Sequence, residues 1–364
     1  MSKIRVALLF GGRSSEHSIS CATAAGVMGA IDRTRFDLIP VGITKNGVLC
    51  AVDDDPTKWA LTSGELPVVE FNGKKVIWPE LGQHELRYLA MNTGLTVSLG
   101  DVDVVFPVLH GPYGEDGTIQ GFLELLDIAY VGNGVFASAA GMDKEFTKAL
   151  FEGAGVPVTP HVVIREQQWL NDPESCLERV RGLGAAPFFV KPARAGSSVG
   201  VSKVSNMDDF AEACEAAFAH DSKLVVERGL VGRELECAVL EGHLGKRPRV
   251  SVAGEIIVTG REFYDFDAKY RDEASVDLVV PAELTPEQLD EMQSIARKAF
   301  EAIGGAGLAR VDFFLTKDGF VVNEINTMPG FTPLSMFPAL WQASGIAYKD
   351  LISELIDLAL QEKG

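Results

Sequence analysis

The sequence lacks the features that mark membrane, secreted and nucleic-acid-binding proteins. No apolar stretch approaches the roughly 18 residues needed to span a bilayer, and the five cysteines form no Cys-x-x-Cys pair. Basic residues are outnumbered, 33 against 51 acidic residues, which gives a formal net charge of −18. Such a surface repels phosphate backbones and acidic membranes, so we expect neither nucleic acid nor a membrane as a partner.

The N-terminal apolar run is followed by a glycine turn and not by a cleavage site, which predicts a first strand and not a signal peptide. The scattered cysteines are typical of reduced, buried thiols in a cytosolic protein. We therefore expect a cytoplasmic location.

The composition is that of an ordinary globular protein, with 46% apolar and 23% charged residues. A chain of 364 residues predicts two or three domains. The pattern of elements predicts an open α/β sheet over residues 1–141, a small α+β lobe over 142–230, and a lobe with long strands over 231–364. Residues 50–100 are polar and irregular, and we interpret them as an insertion with a hairpin.

The first domain begins with the apolar run IRVALLF, closed by Gly11 and Gly12. A continuous apolar run of this kind predicts a buried parallel strand. A helix is expected to follow, with Ser18 or Ser20 near its cap. The runs FDLIPVGI and VDVVFPVLHG predict further strands. In the last domain we expect a helix over 286–303 and a final helix.

Residues 310–326, RVDFFLTKDGFVVNEIN, predict a hairpin that carries charged and amide side chains on apolar strands. Glu324 and Asn326 are two apart, so they point to the same face of their strand. A turn around Lys317, Asp318 and Gly319 places Asp312 opposite them, and Arg310 shares its face. Such oxygen-bearing side chains are ligands that Mg²⁺ prefers. The charge of Arg310 beside them suits phosphoryl transfer, in which negative charge develops on oxygen atoms. The alternative, a solvated strand face, is disfavoured by the apolar neighbours.

Residues 191–204, KPARAGSSVGVSKV, predict a strand, a Gly/Ser-rich loop and a second strand. The backbone N–H groups of such a loop can approach an anion, and Lys191 precedes it. Alone, the segment is more typical of an ordinary hairpin turn. It is not a Walker A loop, because the lysine comes before the glycines and no helix follows. Lys144 is by default a solvated helix residue.

Three further segments carry candidate binding residues. Glu227 and Glu234, in VVERGLVGRELE, flank a strand end and suit ribose hydroxyls and an adenine amino group. Glu16 occupies the place of the third glycine of a dinucleotide motif and suits an ammonium group beside helix N-terminal amides. His110 ends a strand where α/β sheets place ligands. The alternative for the segment with Glu227 and Glu234 is an ordinary polar connection. Glu16 could instead be a helix-capping residue, and His110 a structural histidine.

In this order, these segments resemble the D-alanine–D-alanine ligase family of the ATP-grasp superfamily. The resemblance runs from GGRSSEHSIS to LWQASG, and the motifs HGPYGEDGTIQG, KPARAGSSVGVSKV, RVDFFL and NEINTMPGFT are specific in combination. It implies a three-domain ATP-grasp fold, α/β and α+β, with an N-terminal open parallel sheet and ATP between the central and C-terminal lobes. The chain departs mildly from the pattern at Ala195 and at Arg228, where lysine is also common.

The resemblance implies roles for residues at each motif. Glu16 would hold the amino group of the first D-alanine, with Ser197 and Tyr270 as its hydrogen-bonded partners. The implied stabilisers of an oxyanion are Arg310 and the Gly330 amide, and the implied substrate contacts are His110, Ser335 and Met336. The implied nucleotide contacts are Lys144, Lys191, Ser198, Glu227, Arg228, Leu230, Glu234, Phe263, Lys269 and Asn323. The residues that correspond to ligands of two Mg²⁺ ions, for which Mn²⁺ can substitute, are Asp312, Glu324 and Asn326.

The implied reaction joins two D-alanine molecules through an acyl phosphate, at the expense of ATP, for peptidoglycan precursors, and the implied assembly is a homodimer. Closure of the loop 261–275 would exclude water from the acyl phosphate. Tyr270 favours an amine nucleophile, because ligases that form the D-lactate depsipeptide generally depart from this tyrosine.

Two alternatives remain open. One is a related ligase that uses D-serine or D-lactate as its second substrate. Another is a nicotinamide-dependent oxidoreductase, which the first strand and its glycines suggest but the missing GxGxxG motif disfavours. A non-catalytic ATP-binding sensor is disfavoured, because it would need broken metal ligands and the ligands are present.

Overall fold

The computed structural model describes residues 3–61, 66–258 and 276–361. The strands are β1 (Ile4–Gly11), β2 (Phe36–Ile43), β3 (Leu49–Ala51), β4 (Lys74–Ile77), β5 (Glu85–Ala90), β6 (Leu95–Asp101), β7 (Val104–Pro107), β8 (Ala129–Tyr130), β9 (His161–Arg165), β10 (Phe188–Pro192), β11 (Ser202–Val204), β12 (Lys223–Arg228), β13 (Arg233–Leu240), β14 (Arg249–Val258), β15 (Val276–Val279), β16 (Leu308–Thr316) and β17 (Gly319–Asn326). The helices are α1 (His17–Ala30), α2 (Thr118–Leu125), α3 (Val135–Met142), α4 (Lys144–Gly153), α5 (Glu166–Asn171), α6 (Pro173–Arg181), α7 (Phe210–Phe218), α8 (Pro286–Ala302), α9 (Met336–Ala343) and α10 (Tyr348–Gln361). None of the helices in the described ranges combines the length and the apolar character needed to cross a membrane.

The N-terminal sheet has the strand order β6-β5-β4-β3-β2-β1-β7-β8. β1 runs parallel to β2 and β7, and β7 runs parallel to β8, which confirms the predicted parallel strands. The hairpin expected within residues 50–100 is present as β5 and β6, but the interpretation of the rest as irregular is wrong. β3 to β6 extend the sheet as antiparallel strands. The polar residues of these strands are compatible with a sheet, because an antiparallel sheet can leave one face exposed to water.

The first helix forms where it was predicted, but its start differs from the expectation. Its N-cap is Glu16, and neither Ser18 nor Ser20 caps it. The Ser20 hydroxyl instead accepts a hydrogen bond from the Gly11 amide and donates one to the Val108 carbonyl. These two bonds connect the helix to the carboxyl ends of β1 and β7. They also supply hydrogen-bond partners to two buried backbone groups, which would otherwise be unsatisfied.

The central sheet is antiparallel and has the order β11-β10-β12-β9. The predicted strand, loop and strand over residues 191–204 are confirmed by β10 and β11. α7 packs on one face and buries Phe210 and Cys214 against Phe188 and Val226. All five cysteines of the chain are buried, as expected for small hydrophobic residues.

The C-terminal sheet is also antiparallel, with the order β15-β14-β13-β16-β17. The helix predicted over 286–303 is α8, which begins after the capping residue Thr285 and buries Met292 and Phe300 against the sheet. The predicted hairpin is confirmed, since Thr316 pairs with Gly319 across a two-residue turn.

Two helices follow the hairpin, whereas the sequence predicted only the last. α10 packs against β7 and β8 of the N-terminal sheet and buries Leu351 and Leu355 there. The ring of Phe331 lies 6.0 Å from that of Phe106 on β7, measured between centroids. The segment before α9 is therefore held beside the carboxyl end of the N-terminal sheet.

Candidate active site

Two adjoining cavities lie where the three sheets meet. The smaller has a volume of about 220 Å³ and the larger about 490 Å³. Residues that line both are Lys144, Ala195, Gly196, Ser197, Glu236, Ile256 and Glu324. Ligands in the two cavities can therefore meet beside the side chains of Lys144 and Glu324.

Three acidic residues stand side by side across the C-terminal sheet. Glu236 on β13 pairs with Asp312 on β16, and Asp312 pairs with Glu324 on β17. Because opposite residues on neighbouring antiparallel strands have closely spaced side chains, these carboxylates share one face. The sequence predicted that Asp312 and Glu324 would face each other, and it missed Glu236. The signal for Glu236 was its spacing of two from Glu234 on the same strand.

Arg310 lies among these acids. Its Nε is 2.7 Å from Asp312 Oδ1, and its Nη2 is 2.7 Å from Asp312 Oδ2. The same Nε lies 3.0 Å from Glu236 Oε2. Burial lowers the pKa of Arg310, but the charges of Asp312 and Glu236 raise it by more, so that it lies well above its ordinary value. Arg310 is therefore a fixed cation at the edge of the larger cavity.

A β-bulge in the hairpin changes the direction of one side chain, that of Asn323. The register shifts between Asp312 and Phe313, so that Asp312 pairs with Glu324 while Phe313 pairs with Val322. Asn323 is the extra residue on β17, and a bulge of this kind breaks the alternation of faces. Asn323 and Glu324 both line the smaller cavity, and the amide oxygen of Asn323 accepts a 3.4 Å hydrogen bond from Lys191.

The chemistry of Asp312, Glu324 and Asn326 suits a hard divalent cation, since each offers an oxygen. Asp312 and Asn326 are in contact, because the Asn326 amide donates a 3.0 Å hydrogen bond to Asp312 Oδ2. Among the described residues, however, no three His, Cys, Asp or Glu side chains are grouped closely enough to hold a metal. Arg310 engages both oxygens of Asp312, so a cation bound there would have to share Asp312 with Arg310.

The smaller cavity has a buried ion-pair chain along one wall. Glu227 Oε1 lies 2.9 Å from Lys148 Nζ, and Glu227 Oε2 lies 2.7 Å from Lys191 Nζ. Burial raises the pKa of Glu227, but the two lysines lower it by more, so Glu227 is ionised. Lys148 was missed by the sequence analysis; the signal was its position one helical turn after Lys144.

Lys144 is not a solvated helix residue. Its Nζ donates a 2.8 Å hydrogen bond to the Ala195 carbonyl, and its side chain lines both cavities. Burial lowers the pKa of Lys144, and the charge of Glu324 partly opposes that effect. The helix that carries it begins directly after its N-cap, Asp143, whose carboxylate accepts hydrogen bonds from the amides of Glu145 and Phe146.

The Gly/Ser-rich loop reaches across to the N-terminal lobe. Ser197 and Ser198 have φ values of +49° and +57°, so two successive residues adopt a left-handed conformation. Ser197 Oγ donates a 2.6 Å hydrogen bond to Glu16 Oε1. Although Glu16 is the N-cap of α1, its side chain makes no capping hydrogen bond. The capping interpretation of Glu16 is therefore wrong, and its carboxylate faces the larger cavity.

His110 is buried at the carboxyl end of the segment that follows β7. Its Nδ1 lies 3.1 Å from the Met328 carbonyl, and its Nε2 lies 3.2 Å from Thr23 Oγ1. Burial lowers the pKa of His110, while the charge of Glu16 opposes that effect. His110 thus joins three segments and also lines the larger cavity.

Glu115 is a third residue that the sequence analysis missed as part of the site. Its carboxylate accepts hydrogen bonds from the Gly111 and Met328 amides, at 2.6 and 3.1 Å. Burial and then the charge of Glu16 raise the pKa of Glu115 to about 8. Nothing local in the sequence shows that this loop meets residue 328.

The remaining predicted site residues divide between the cavities. The smaller is lined by Ser198, Arg228, Leu230 and Glu234. The larger is lined by Asn326, Gly330, Ser335 and Met336. The Ser335 hydroxyl accepts a hydrogen bond from the Thr332 amide at 3.1 Å, which holds it beside Gly330. Phe263, Lys269 and Tyr270 lie outside the described residues, so their placement stays a prediction.

Comparison with known proteins agrees with this arrangement. Residues 5–133 match the family model described as D-ala D-ala ligase N-terminus, and residues 150–357 match that described as D-ala D-ala ligase C-terminus. A relative from Arthrobacter sp. (strain FB24), D-alanine--D-alanine ligase, is 53% identical over 365 residues, which cover 100% of this chain and 95% of the relative.

Two solved structures are similar over almost the whole chain. The D-alanine-D-alanine ligase from Coxiella burnetii has a TM-score of 0.83 at 31% identity, covering 100% of this chain and 95% of that one. The VanG D-Ala:D-Ser ligase from Enterococcus faecalis has a TM-score of 0.81 at 32% identity, covering 98% and 100%. The chain belongs to the D-alanine–D-alanine ligase family, which has the ATP-grasp fold and uses ATP and a divalent metal.

Proposed function

We propose that this chain joins two D-alanine molecules to D-alanyl-D-alanine for peptidoglycan precursors, with ATP converted to ADP and phosphate. The observation that carries the proposal is the continuity of the two cavities at Lys144 and Glu324. One cavity suits a nucleotide and the other suits two small amino acids. Transfer of a phosphoryl group between them needs such a junction, because the reacting atoms must approach within van der Waals distance.

The smaller cavity takes ATP. Leu230, Glu234 and Arg228 line this cavity and are proposed to contact adenosine. Lys144, which also lines the larger cavity, and Lys191 are proposed to contact phosphate groups. The left-handed backbone at Ser197 and Ser198 aims amide groups at an anion, as a backbone nest does. Asn323 orients Lys191. Phe263 and Lys269 are proposed as further nucleotide contacts.

The first D-alanine binds with its ammonium group at Glu16, which Ser197 holds in place. Tyr270 is proposed as a further partner of this pair. Ser335 and Met336, at the start of α9, are proposed contacts of the carboxylate of the second D-alanine. His110 completes the wall of this cavity, and its tie to Met328 positions the segment that follows β17.

The reaction has two steps. A carboxylate oxygen of the first D-alanine attacks the γ-phosphorus of ATP, ADP leaves, and an acyl phosphate forms. The amine of the second D-alanine then attacks the acyl carbon, loses a proton, and phosphate leaves as the peptide bond forms. Arg310 and the amide of Gly330 are placed to stabilise negative charge on the acyl oxygen, since preorganised donors cost no reorganisation at that moment.

Asp312, Glu324 and Asn326 are proposed to hold two Mg²⁺ ions, with Mn²⁺ as a substitute. When bound, these ions neutralise charge on the triphosphate and orient it for transfer. These three residues offer their oxygen atoms from paired strands, which would fix the positions of the bound ions.

Three further features are part of the proposal. The domain boundaries are 1–141, 142–230 and 231–364, the chain works in the cytoplasm, and it assembles as a homodimer. The separation of the described strands into three sheets supports the boundaries, and the family resemblance supports the location and the assembly. Sedimentation of the purified protein tests the assembly: a mass near 39.2 kDa would contradict the dimer.

The test of the activity is ADP release, measured by a coupled assay with D-alanine, L-alanine, D-serine and D-lactate. We expect ADP release with D-alanine alone and a dipeptide product that mass spectrometry identifies as D-alanyl-D-alanine. The alternative second substrate is D-serine, which the similarity to the D-Ala:D-Ser ligase favours. Faster ADP release when D-serine is added to D-alanine would replace the proposal by that alternative.

A further inference from the structure

α4 carries two lysines one turn apart, and they have different surroundings. Lys144 reaches into both cavities and bonds the Ala195 carbonyl. Lys148 lies behind the wall of the smaller cavity, and its side chain is only 2% exposed. A lysine this deeply buried is rare unless it is paired, because removal of an ammonium group from water is costly.

The partner of Lys148 is Glu227, which is 4% exposed. One carboxylate oxygen of Glu227 lies 2.9 Å from Lys148 Nζ, and the other lies 2.7 Å from Lys191 Nζ. Of the two lysines, only Lys191 lines the smaller cavity. The three side chains therefore form a chain that runs from a buried helix face to the proposed triphosphate site.

The charges of this chain explain why two lysines are present. Two cations and one carboxylate leave one net positive charge, at the end where Lys191 meets the cavity. If Glu227 had Lys191 as its sole partner, the pair would be neutral. A phosphate group that drew Lys191 away would then leave a buried, unpaired carboxylate, which is strongly unfavourable. With Lys148 in place, Glu227 keeps a counter-ion when Lys191 contacts phosphate.

We propose that Lys148 is a positioning residue for ATP binding: it holds Glu227, and thereby leaves Lys191 available to the triphosphate. This inference rests on the proposed role of the smaller cavity as the nucleotide site. Lys148 itself touches no substrate. Its effect is on the affinity for ATP and not on the amino-acid sites, which lie on the other side of the junction.

A competing interpretation is that Lys148 only joins α4 to β12, where Glu227 lies. Both interpretations expect Lys148→Met to lower thermal stability. They differ in what happens when Glu227 is neutral. If Lys148 acts by neutralising Glu227, it is dispensable for ATP affinity once that carboxylate is gone.

The experiment is a double-variant cycle on the full-length protein, in which ATP affinity is measured by calorimetry with a non-hydrolysable ATP analogue and Mg²⁺. Lys148→Met is expected to weaken binding by about tenfold or more, a size typical of coupled charged pairs. The KM for D-alanine is expected to stay within about twofold, because Lys148 does not line the larger cavity. In the Glu227→Gln background, Lys148→Met is expected to cause no further loss of affinity.

The control is Lys349→Met, which removes one positive charge at a side chain 53% exposed on α10. It is expected to leave analogue binding unchanged.

Equal losses of affinity from Lys148→Met in the wild-type and Glu227→Gln backgrounds would overturn the inference. Unchanged affinity in the single variant would do the same. If the single variant does not fold, the comparison of Glu227→Gln with the double variant still decides, since a loss between them contradicts the proposal. Failure of the wild-type chain to bind the analogue or to release ADP would instead contradict the proposed function.

Discussion

Ser197 donates a 2.6 Å hydrogen bond to Glu16, although 181 residues separate them in the chain. The bond joins the Gly/Ser-rich loop of the central lobe to the first helix of the N-terminal lobe. It places a carboxylate at the wall of the larger cavity, where Gly111 and Gly196 leave room for it. A Cβ at Gly111 would lie 2.9 Å from Glu16 Oε2. This contact therefore joins the loop to the helix at the proposed ammonium site.

We expect Ser197→Ala to raise the KM for the first D-alanine and to lower kcat/KM by about ten- to a hundredfold. A hydrogen bond to a charged group contributes about 1.5–3 kcal/mol, which corresponds to that range. Steady-state kinetics with D-alanine varied at saturating ATP provide the measurement. Ser175→Ala, on the exposed face of α6, is the control. If the two variants behave alike, the bond between Ser197 and Glu16 does not serve substrate binding.

Arg310→Lys is expected to lower kcat by about 10²- to 10³-fold, the usual effect of removing a preorganised donor from an oxyanion. Lysine keeps the charge but loses the two parallel bonds to Asp312. Affinity for a nucleotide analogue is expected to change little, because Arg310 lies at the larger cavity and does not line the smaller one. Arg310→Ala is a less clean variant, since it leaves the carboxylates of Asp312 and Glu236 facing each other. Parallel losses of nucleotide affinity and of turnover in Arg310→Lys would contradict this role.

Removal of divalent metal by EDTA is expected to abolish ADP release, and added Mg²⁺ or Mn²⁺ is expected to restore it. Asp312→Asn is expected to raise the Mg²⁺ concentration for half-maximal activity by about tenfold or more, since it removes one charged ligand. Asp318→Asn is the matched control, because Asp318 lies in the exposed turn of the same hairpin. An unchanged Mg²⁺ requirement in Asp312→Asn would exclude Asp312 as a ligand, whatever its effect on kcat.

The strand periodicity was enough to place Asp312, Glu324 and Asn326 on neighbouring strands. The fixed two-residue alternation of a strand and the short turn determine that geometry locally. Asn323 could not be placed in the same way from the pattern. Its orientation depends on a bulge, which forms only when β17 pairs with β16. The resemblance to a family identified Asn323, but the pattern of the hairpin did not.

Glu236, Lys148 and Glu115 were missed because their roles depend on distant partners. Glu236 matters through the pairing of β13 with β16, and Lys148 matters through the approach of α4 to β12. Glu115 matters because residue 328 returns to its loop. Each of these contacts joins segments far apart in the chain, and a local pattern contains no information on which segments meet.

Glu115 makes stability depend on pH in a direction opposite to that of most carboxylates. Its pKa is raised from 4.5 to about 8 in the folded chain. Between these values the unfolded chain releases a proton that the folded chain retains, so a rise in pH favours unfolding through this group. The contribution of Glu115 is therefore unaffected below about pH 4.5 and becomes increasingly unfavourable up to about pH 8.

We expect the free energy of unfolding of the wild type, relative to that of Glu115→Gln, to fall by at most about 1.4 kcal/mol per pH unit between pH 5 and 8. Glutamine keeps one acceptor for the amides of Gly111 and Met328 but does not titrate. Denaturant unfolding at several pH values, without ligands, gives the difference at each pH. Glu212→Gln, at an exposed position of α7, is the control, and its difference from the wild type is expected to stay constant. A constant difference for Glu115→Gln as well would show that Glu115 ionises as an ordinary carboxylate, and that the amides of Gly111 and Met328 hold it in its charged form.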